Sequence, residues 1–256
     1  MSAMGVTASQ VRYVNKTFWR NPARAFFTFA FPLMLLVIFT SLLGGGSERI
    51  GAVIVTESAY YVVTMAAFGV IQACYSNIAA SVSYQRDAGI LKRIDGSPMP
   101  KTSFMASRVL HSILVGVLLV VITAGFGRAF YSVSIPGGMS LFRLLVMLVI
   151  GAGAFCALGL AVTAVIPNAD AAQPVILGTV LPLCFLSGIF IPFSNSTPSW
   201  LIWIARIFPV RHFAAGMMAG FTGTPFDWTD VLVVAAWGIA GLLLAVRFFR
   251  WQPRTG

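Results

Sequence analysis

The sequence predicts an all-α integral membrane protein with six transmembrane helices, and three observations carry that prediction. Residues of the AVILMFWYC set fill 58% of the 256 positions, charged residues only 9%, and the mean hydropathy is +0.89. A typical globular chain carries about 25% charge, so this one cannot coat a water-facing surface. Apolar stretches of about 20 residues, the length a helical span needs, recur six times. The bias toward Phe, Leu, Val, Gly and Ala favours helices over a barrel, whose strands would alternate apolar and polar. A soluble enzyme, a disordered tail, a coiled coil and a disulfide scaffold are excluded on the same grounds.

Residues 7–24 come first. Val11, Val14 and Phe18 recur at helical spacing, with Arg12, Lys16 and Arg20 between them. Such a basic amphipathic helix lies in the headgroup layer, with Trp19 as its interfacial anchor. The six spans follow at roughly 25–43, 59–82, 104–126, 142–166, 172–192 and 230–248. The first is longer than the roughly 7–15 apolar residues of a secretory signal and lacks a small-residue cleavage site, so it reads as an uncleaved span.

With the N-terminus inside, twelve of the 17 Lys and Arg residues fall in inside segments and five outside. The inside groups are Arg12 to Arg24, Arg86 to Arg108, and Arg247, Arg250 and Arg254. This bias places both termini in the cytoplasm. The formal net charge of +10 therefore reads as topogenic charge, and no nucleic-acid partner is expected. Cys74, Cys156 and Cys184 sit in apolar runs as packing residues. His111 and His212 have no acid close by in sequence, so no metal site is expected. The whole of 1–256 reads as one membrane domain.

The loop between the second and third spans is the most informative stretch. It mixes Arg86, Asp87, Lys92, Arg93 and Asp95 with Ile90, Leu91 and Ile94, and Gly96, Pro98 and Pro100 stop any helix there. The spacing predicts a short charged helix within 84–97. A solvated loop that serves only the positive-inside rule would have the same composition.

Three stretches resemble the type-2 ATP-binding-cassette (ABC-2) exporter permease family, whose members include membrane subunits of bacterial drug-resistance exporters. They are NKTFWRNPARAFFTFAFPLMLLVIF (15–39), YQRDAGILKRIDGSPMPK (84–101) and LSGIFIPFSNSTPSWLIWIARIFPVRHFAAGMMAGF (186–221). The first is similar to the family's basic helix, R-[DN]-P and Phe-Pro span. The second is similar to its E-R-E-x-G-T-L loop. The third is similar to its S-G-x-x-x-P, Pro-x-W-L and N-P signature. Tyr84 and Gln85 stand where the family favours an acid, and Phe208 stands where it favours Asn.

The resemblance implies a partner: a cytoplasmic P-loop ATPase that binds ATP and Mg. A coupling helix made of Arg86, Asp87, Gly89, Ile90, Leu91, Lys92, Arg93 and Ile94 would dock on it. The charged residues would supply electrostatic complementarity, and Ile90, Leu91 and Ile94 the buried anchor. The chain itself has no G-x-x-x-x-G-K-[ST], and its three lysines follow Asn15, Leu91 and Pro100. No cofactor, catalytic residue or ATPase activity is expected in it. No Asp or Glu falls mid-span, which disfavours proton coupling.

By resemblance, the second and fifth spans line a central cavity in a dimer of two permease copies or related permeases. Met65, Phe68, Gln72 and Ser76 would come from the second span, and Leu181, Phe185 and Ile189 from the fifth. The same residues also suit plain helix packing. Between the last two spans, Ser196 or Thr197 is placed to cap a helix with Pro198 in its first turn, and Pro209 separates it from a second. These helices at 196–221 are too short to span, and would be interfacial or re-entrant. By resemblance Trp200, Trp203, Phe208 and Pro209 form an outer gate, although an aromatic belt would look alike. The expected function is export of amphiphilic drugs or lipid-like molecules across a bacterial-type cell membrane. Polysaccharide or glycolipid export, and a non-transporting membrane scaffold, are the alternatives.

Overall fold

The computed structural model describes residues 3–50, 53–97, 99–193, 197–249 and 251–252. Pro98, Ser196, Arg250 and Arg254, which figure in the sequence reading, lie outside the described residues.

Helix α1 (Ala3–Trp19) buries Phe18, half-buries Val11 and Val14, and leaves Arg12, Lys16 and Arg20 exposed. It ends five residues before the expected boundary. Asn21 caps the next helix by accepting from the Arg24 N–H, and Pro22 occupies its first turn, so Pro22 to Arg24 belong to the first span. That span is α2 (Pro22–Leu43). A two-stranded antiparallel hairpin follows, β1 (Ser47–Ile50) with β2 (Val53–Thr56), the one departure from helix among the described residues.

The second span is a composite. Helix α3 (Glu57–Ile71), capped by the Thr56 hydroxyl, runs into a π-helical turn at Gln72–Ser76 and then into α4 (Asn77–Asp87). Of the candidate spans it is the most enclosed. Ala88 and Gly89 interrupt the chain, Gly89 at φ +70°, and α5 (Ile90–Asp95) then forms. The single 84–97 helix expected from sequence is therefore two pieces, because Gly89 is free to adopt the left-handed backbone that the reversal needs. Helices α6 (Lys101–Tyr131), α7 (Gly138–Val162) and α8 (Ala169–Leu186) are the next three spans. The fifth span stops at Leu186, because Gly188 takes φ +79°, whereas the sequence carries its apolar run on to 192.

Helices α9 (Ser199–Ile207) and α10 (Pro209–Thr222) precede the last span, α11 (Trp228–Phe248). Pro198 precedes the first turn of α9 and does not sit within it. Six helices among the described residues are long and apolar enough to cross a membrane. Their alternation sets α1, α5 and the α7–α8 turn at one end of the bundle, and the β-hairpin, the α6–α7 loop and α9–α10 at the other.

Close approaches at glycines fix the packing of the last elements. A Cβ on Gly220 of α10 would fall 2.7 Å from the Leu144 Cα, and one on Gly216 would fall 2.8 Å from the Met147 side chain. Gly151 faces the Phe213 ring. Thus α10 runs antiparallel along the first half of α7, and the α9–α10 junction is its deepest point. The pair is re-entrant, and it does not lie flat. Gly238 and Gly241 let α11 close on Ala154 and Leu158 of α7 in the same way.

Candidate functional site

At the α1 end, the last turn of α4 is tied to the turn between α7 and α8. Arg86 is 2% exposed. Its guanidinium donates to the Thr163 carbonyl at 2.9 Å, to Ile166 at 2.7 Å and to Pro167 at 3.3 Å. Its Nε faces Asp87 Oδ1 at 3.4 Å. The other oxygen of Asp87 accepts the Ala169 N–H at the start of α8, where a carboxylate suits the helix dipole. Arg86 is thus turned inward, and Asp87, partly exposed, is tied to it and to the start of α8. The sequence assigned them outward because their acceptors lie about 80 positions further on, beyond any local pattern.

Leu91 is likewise 0% exposed and belongs to the main core, so it anchors α5 to its own bundle. The outward surface of α5 consists of Ile90 at 38% exposure together with Lys92 and Arg93, while Ile94 is half-buried. Asp95 pairs with Lys101 at the start of α6. The segment proposed from sequence as a docking rod is a short helix on a rigid mount, with a smaller free face.

Above α5 lies a partly open cavity of about 1010 Å³. It is lined by α1, α2, the π turn, α4, α5, α6 and α8. Gln72 and Ser76 reach it from the π turn and are hydrogen-bonded to each other, the Ser76 hydroxyl donating. Ile90, Ile94 and Leu177 also line it. Gly159 of α7 abuts the π turn, where an added Cβ would meet the Tyr75 carbonyl at 2.6 Å.

The candidate path residues divide three ways. Gln72 and Ser76 face the cavity. Leu181 and Phe185 stand on an exposed face of α8. Met65, Phe68 and Ile189 are buried in the core, and Phe68 packs edge-on against Phe190 at 5.2 Å. These three pack inside the bundle and are not among the described residues that line the cavity. Helical spacing cannot separate the two roles, since the second span is enclosed on almost every side.

At the opposite end, Trp200 and Trp203 are well exposed, and Arg206 lies over the Trp203 ring at 5.4 Å. Phe208 stacks on Trp237 of α11 at 6.0 Å, and the Trp237 indole donates to the Ile207 carbonyl at 2.9 Å. Pro209 is buried. The four candidate gate residues therefore split into two free tryptophans and a Phe208–Pro209 corner fastened to the last span.

That corner carries a pair the sequence did not disclose. His212 Nδ1 lies 2.6 Å from Asp230 Oδ1, and its Nε2 lies 2.8 Å from the Arg206 carbonyl. Nδ1 faces a carboxylate and Nε2 a carbonyl, an arrangement that favours the protonated ring. The Asp230 carboxylate, aided by the Arg206 carbonyl, holds His212 above the usual histidine value against the opposing effect of burial. Eighteen residues separate the two, and a turn followed by a new helix closes the gap. Only a prediction of the α10–α11 reversal would have found the pair.

The fold and these features define a polytopic helical membrane protein with a cavity above one end and a re-entrant hairpin at the other. Comparison with known proteins narrows the class. The profile of the ABC-2 type transporter family matches residues 9–222, and the chain belongs to that family. It is also similar to ABC transporter G family member 20 of Dictyostelium discoideum. The two are 27% identical over 183 residues, 68% of this chain and 25% of that protein. The chain spans about a quarter of the length of that relative. It is a multi-pass permease component of ATP-binding-cassette type.

Proposed function

We propose that this chain is the permease subunit of an exporter for amphiphilic drugs or lipid-like molecules, driven by a separate cytoplasmic P-loop ATPase that binds ATP and Mg. Two copies, or this chain and a related one, form the working dimer. The α1 end faces the cytoplasm of a bacterial-type cell, in keeping with the positive charge collected there. The observation that carries the reading is the mounting of α5. Its free face of Ile90, Lys92 and Arg93 is small and charged, and the helix behind it is fixed by Leu91 and by the Arg86 clamp. A rigid element pressed by a partner can pass a displacement to the spans, whereas a loose loop absorbs it. The exposed apolar face of α8 at Leu181 and Phe185 suits a second copy or an amphiphilic cargo.

The test is Lys92→Glu with Arg93→Glu in the assembled complex with its ATPase, two exposed positions of α5 outside the set that lines the cavity. The expected outcome is normal insertion, with substrate-stimulated ATP hydrolysis and amphiphile efflux both lost. Efflux at the parental rate would refute the docking assignment. Intact ATPase binding without uphill movement of any amphiphile in the parental complex would refute transport and leave a scaffold.

A further inference from the structure

We propose that the cavity above α5 is a binding site for the anionic head group of an amphiphile, seated among Arg24, Arg108 and His111. On α6, Arg108 and His111 are three residues apart and share a face. His111 and the Arg24 guanidinium both lie against Phe18, at ring and centroid distances of 5.3 and 5.9 Å. Arg108 lies over Phe104 at 4.2 Å. All three cavity-lining side chains therefore converge on one side of it.

The charge there is unbalanced. Among the described residues that line the cavity there is no Asp or Glu. Arg24 donates to the Asn77 amide oxygen, a neutral partner. Arg108 Nε and His111 Nδ1 are buried with no hydrogen-bond partner, and His111 is only 4% exposed. Arg108 sits seven residues into α6, about 10 Å along its axis. A cation held at that depth without a counter-charge is costly, and an anion accepting from these donors would offset the cost through charge-assisted bonds. Gln85 adds a further unpaired buried amide oxygen; turned over, the same amide presents its NH₂ group.

The rest of the cavity sets the kind of anion. Phe27, Phe31, Pro32, Ile176 and Leu177 give it an apolar side. A volume of about 1010 Å³ far exceeds a free ion and suits a ligand of drug or lysolipid size. A phosphate or carboxylate head between Arg24 and Arg108 and beside the His111 ring, with its tail along the phenylalanines toward α8, uses both halves. Binding rests on this chain alone. Only the consequence that acidic amphiphiles are the exported class rests on the exporter reading.

The test uses the full chain in zwitterionic nanodiscs. It is titrated with lysophosphatidylglycerol, with lysophosphatidylcholine of the same acyl chain, and with inorganic phosphate as competitor. The glycerol lipid should bind at least about ten-fold tighter than the choline lipid, because the two share the phosphodiester and the choline ammonium adds a fixed positive charge beside Arg24 and Arg108. Arg108→Gln and Arg24→Gln should each remove that preference. Arg108→Lys should keep part of it, which separates lost charge from lost folding. Arg206→Gln, at the other end, should leave it unchanged. Equal binding of the two lipids, or a preference that survives Arg108→Gln, overturns the proposal. Displacement by millimolar phosphate overturns the amphiphile and leaves a free-anion site. In the ATPase-driven complex, head-group preference without transport refutes the exporter reading alone, and transport without preference refutes this inference alone.

Discussion

Replacing Arg86 tests whether the corner between α4 and the α7–α8 turn is held as the geometry indicates. In Arg86→Gln the shorter amide cannot reach three carbonyls. The two closest acceptors, Thr163 at 2.9 Å and Ile166 at 2.7 Å, belong to residues 1% and 0% exposed, so water does not replace the lost donors without opening the turn. Each charge-assisted bond is worth about 1.5–3 kcal/mol and such terms do not add fully, so the turn should lose roughly 3–5 kcal/mol of local stability, the range for breaking a buried charged network. At about 1.4 kcal/mol per decade, the amides of 163–169 should exchange with solvent at least about a hundred-fold faster. Arg86→Lys should fall between, because an ammonium cannot fork across three acceptors. Hydrogen exchange followed by mass spectrometry on the purified protein reads the effect. Protection of 163–169 within about three-fold of the parent would refute the clamp, since a loss that small is under 1 kcal/mol.

Leu91→Asp should abolish folded protein while Ile90→Asp does not, because one side chain is fully buried and the other is 38% exposed; equal yields in detergent would contradict the mounting of α5. His212 has a raised value in the folded chain, so its contribution is complete below the unfolded value of about 6.5 and fades as pH rises through the raised value. Protection factors of the 206–212 amides, from which the intrinsic base-catalysed rise of exchange is divided out, should therefore fall at alkaline pH in the parent and stay level in His212→Gln; a level parent profile would count against the His212–Asp230 pair. Gly159→Ala drives a methyl to 2.6 Å from the Tyr75 carbonyl and should cost about 1–3 kcal/mol. Gly153→Ala meets nothing within 4 Å and should be neutral or slightly stabilising. Comparison of their melting temperatures checks the π-turn contact. Cysteines at Ile90 and Trp203 should react with an impermeant reagent from opposite faces of the membrane; labelling from the same side would overturn the proposed orientation.

Six spans, the amphipathic first helix and the short helices before the last span were legible in the sequence because each rests on local information: apolar length, helical spacing, Asn-Pro at 21–22 and Pro209. The reach of the first helix, the end of the fifth span and the integrity of the 84–97 helix were misplaced because single backbone decisions set them. Asn21 capping and the left-handed turns at Gly89 and Gly188 are visible only as residue types in a row of letters. The candidate sites were harder. Met65 and Gln72 lie on one continuous span, yet one is core and the other faces a cavity. That difference is made by neighbours from other helices. The same holds for Arg86, which looks like a surface charge until Thr163 and Ile166 close over it.

Mechanical continuity follows from the composite second span. Below the π turn, α4 is a rigid rod whose far end is pinned by Arg86 and Asp87 and then joined to α5 through two residues. Within the turn itself, Gln72 and Ser76 face the cavity. A π turn carries one residue more than an α turn and tolerates insertion or release of that residue at small cost, so it is the place along this span where twist changes most easily. A push on α5 in the proposed exporter should move α4 and the α7–α8 turn together and strain the π turn before α3, whose residues from Tyr61 to Ile71 are all buried. In the proposed exporter the cavity wall is thus the first element to respond to the ATPase, and the far end with its α9–α10 hairpin responds only through α7 and α11. Stiffening the turn, by substitutions that restore α-helical register at 72–76, should leave ATPase docking intact and uncouple it from release of cargo.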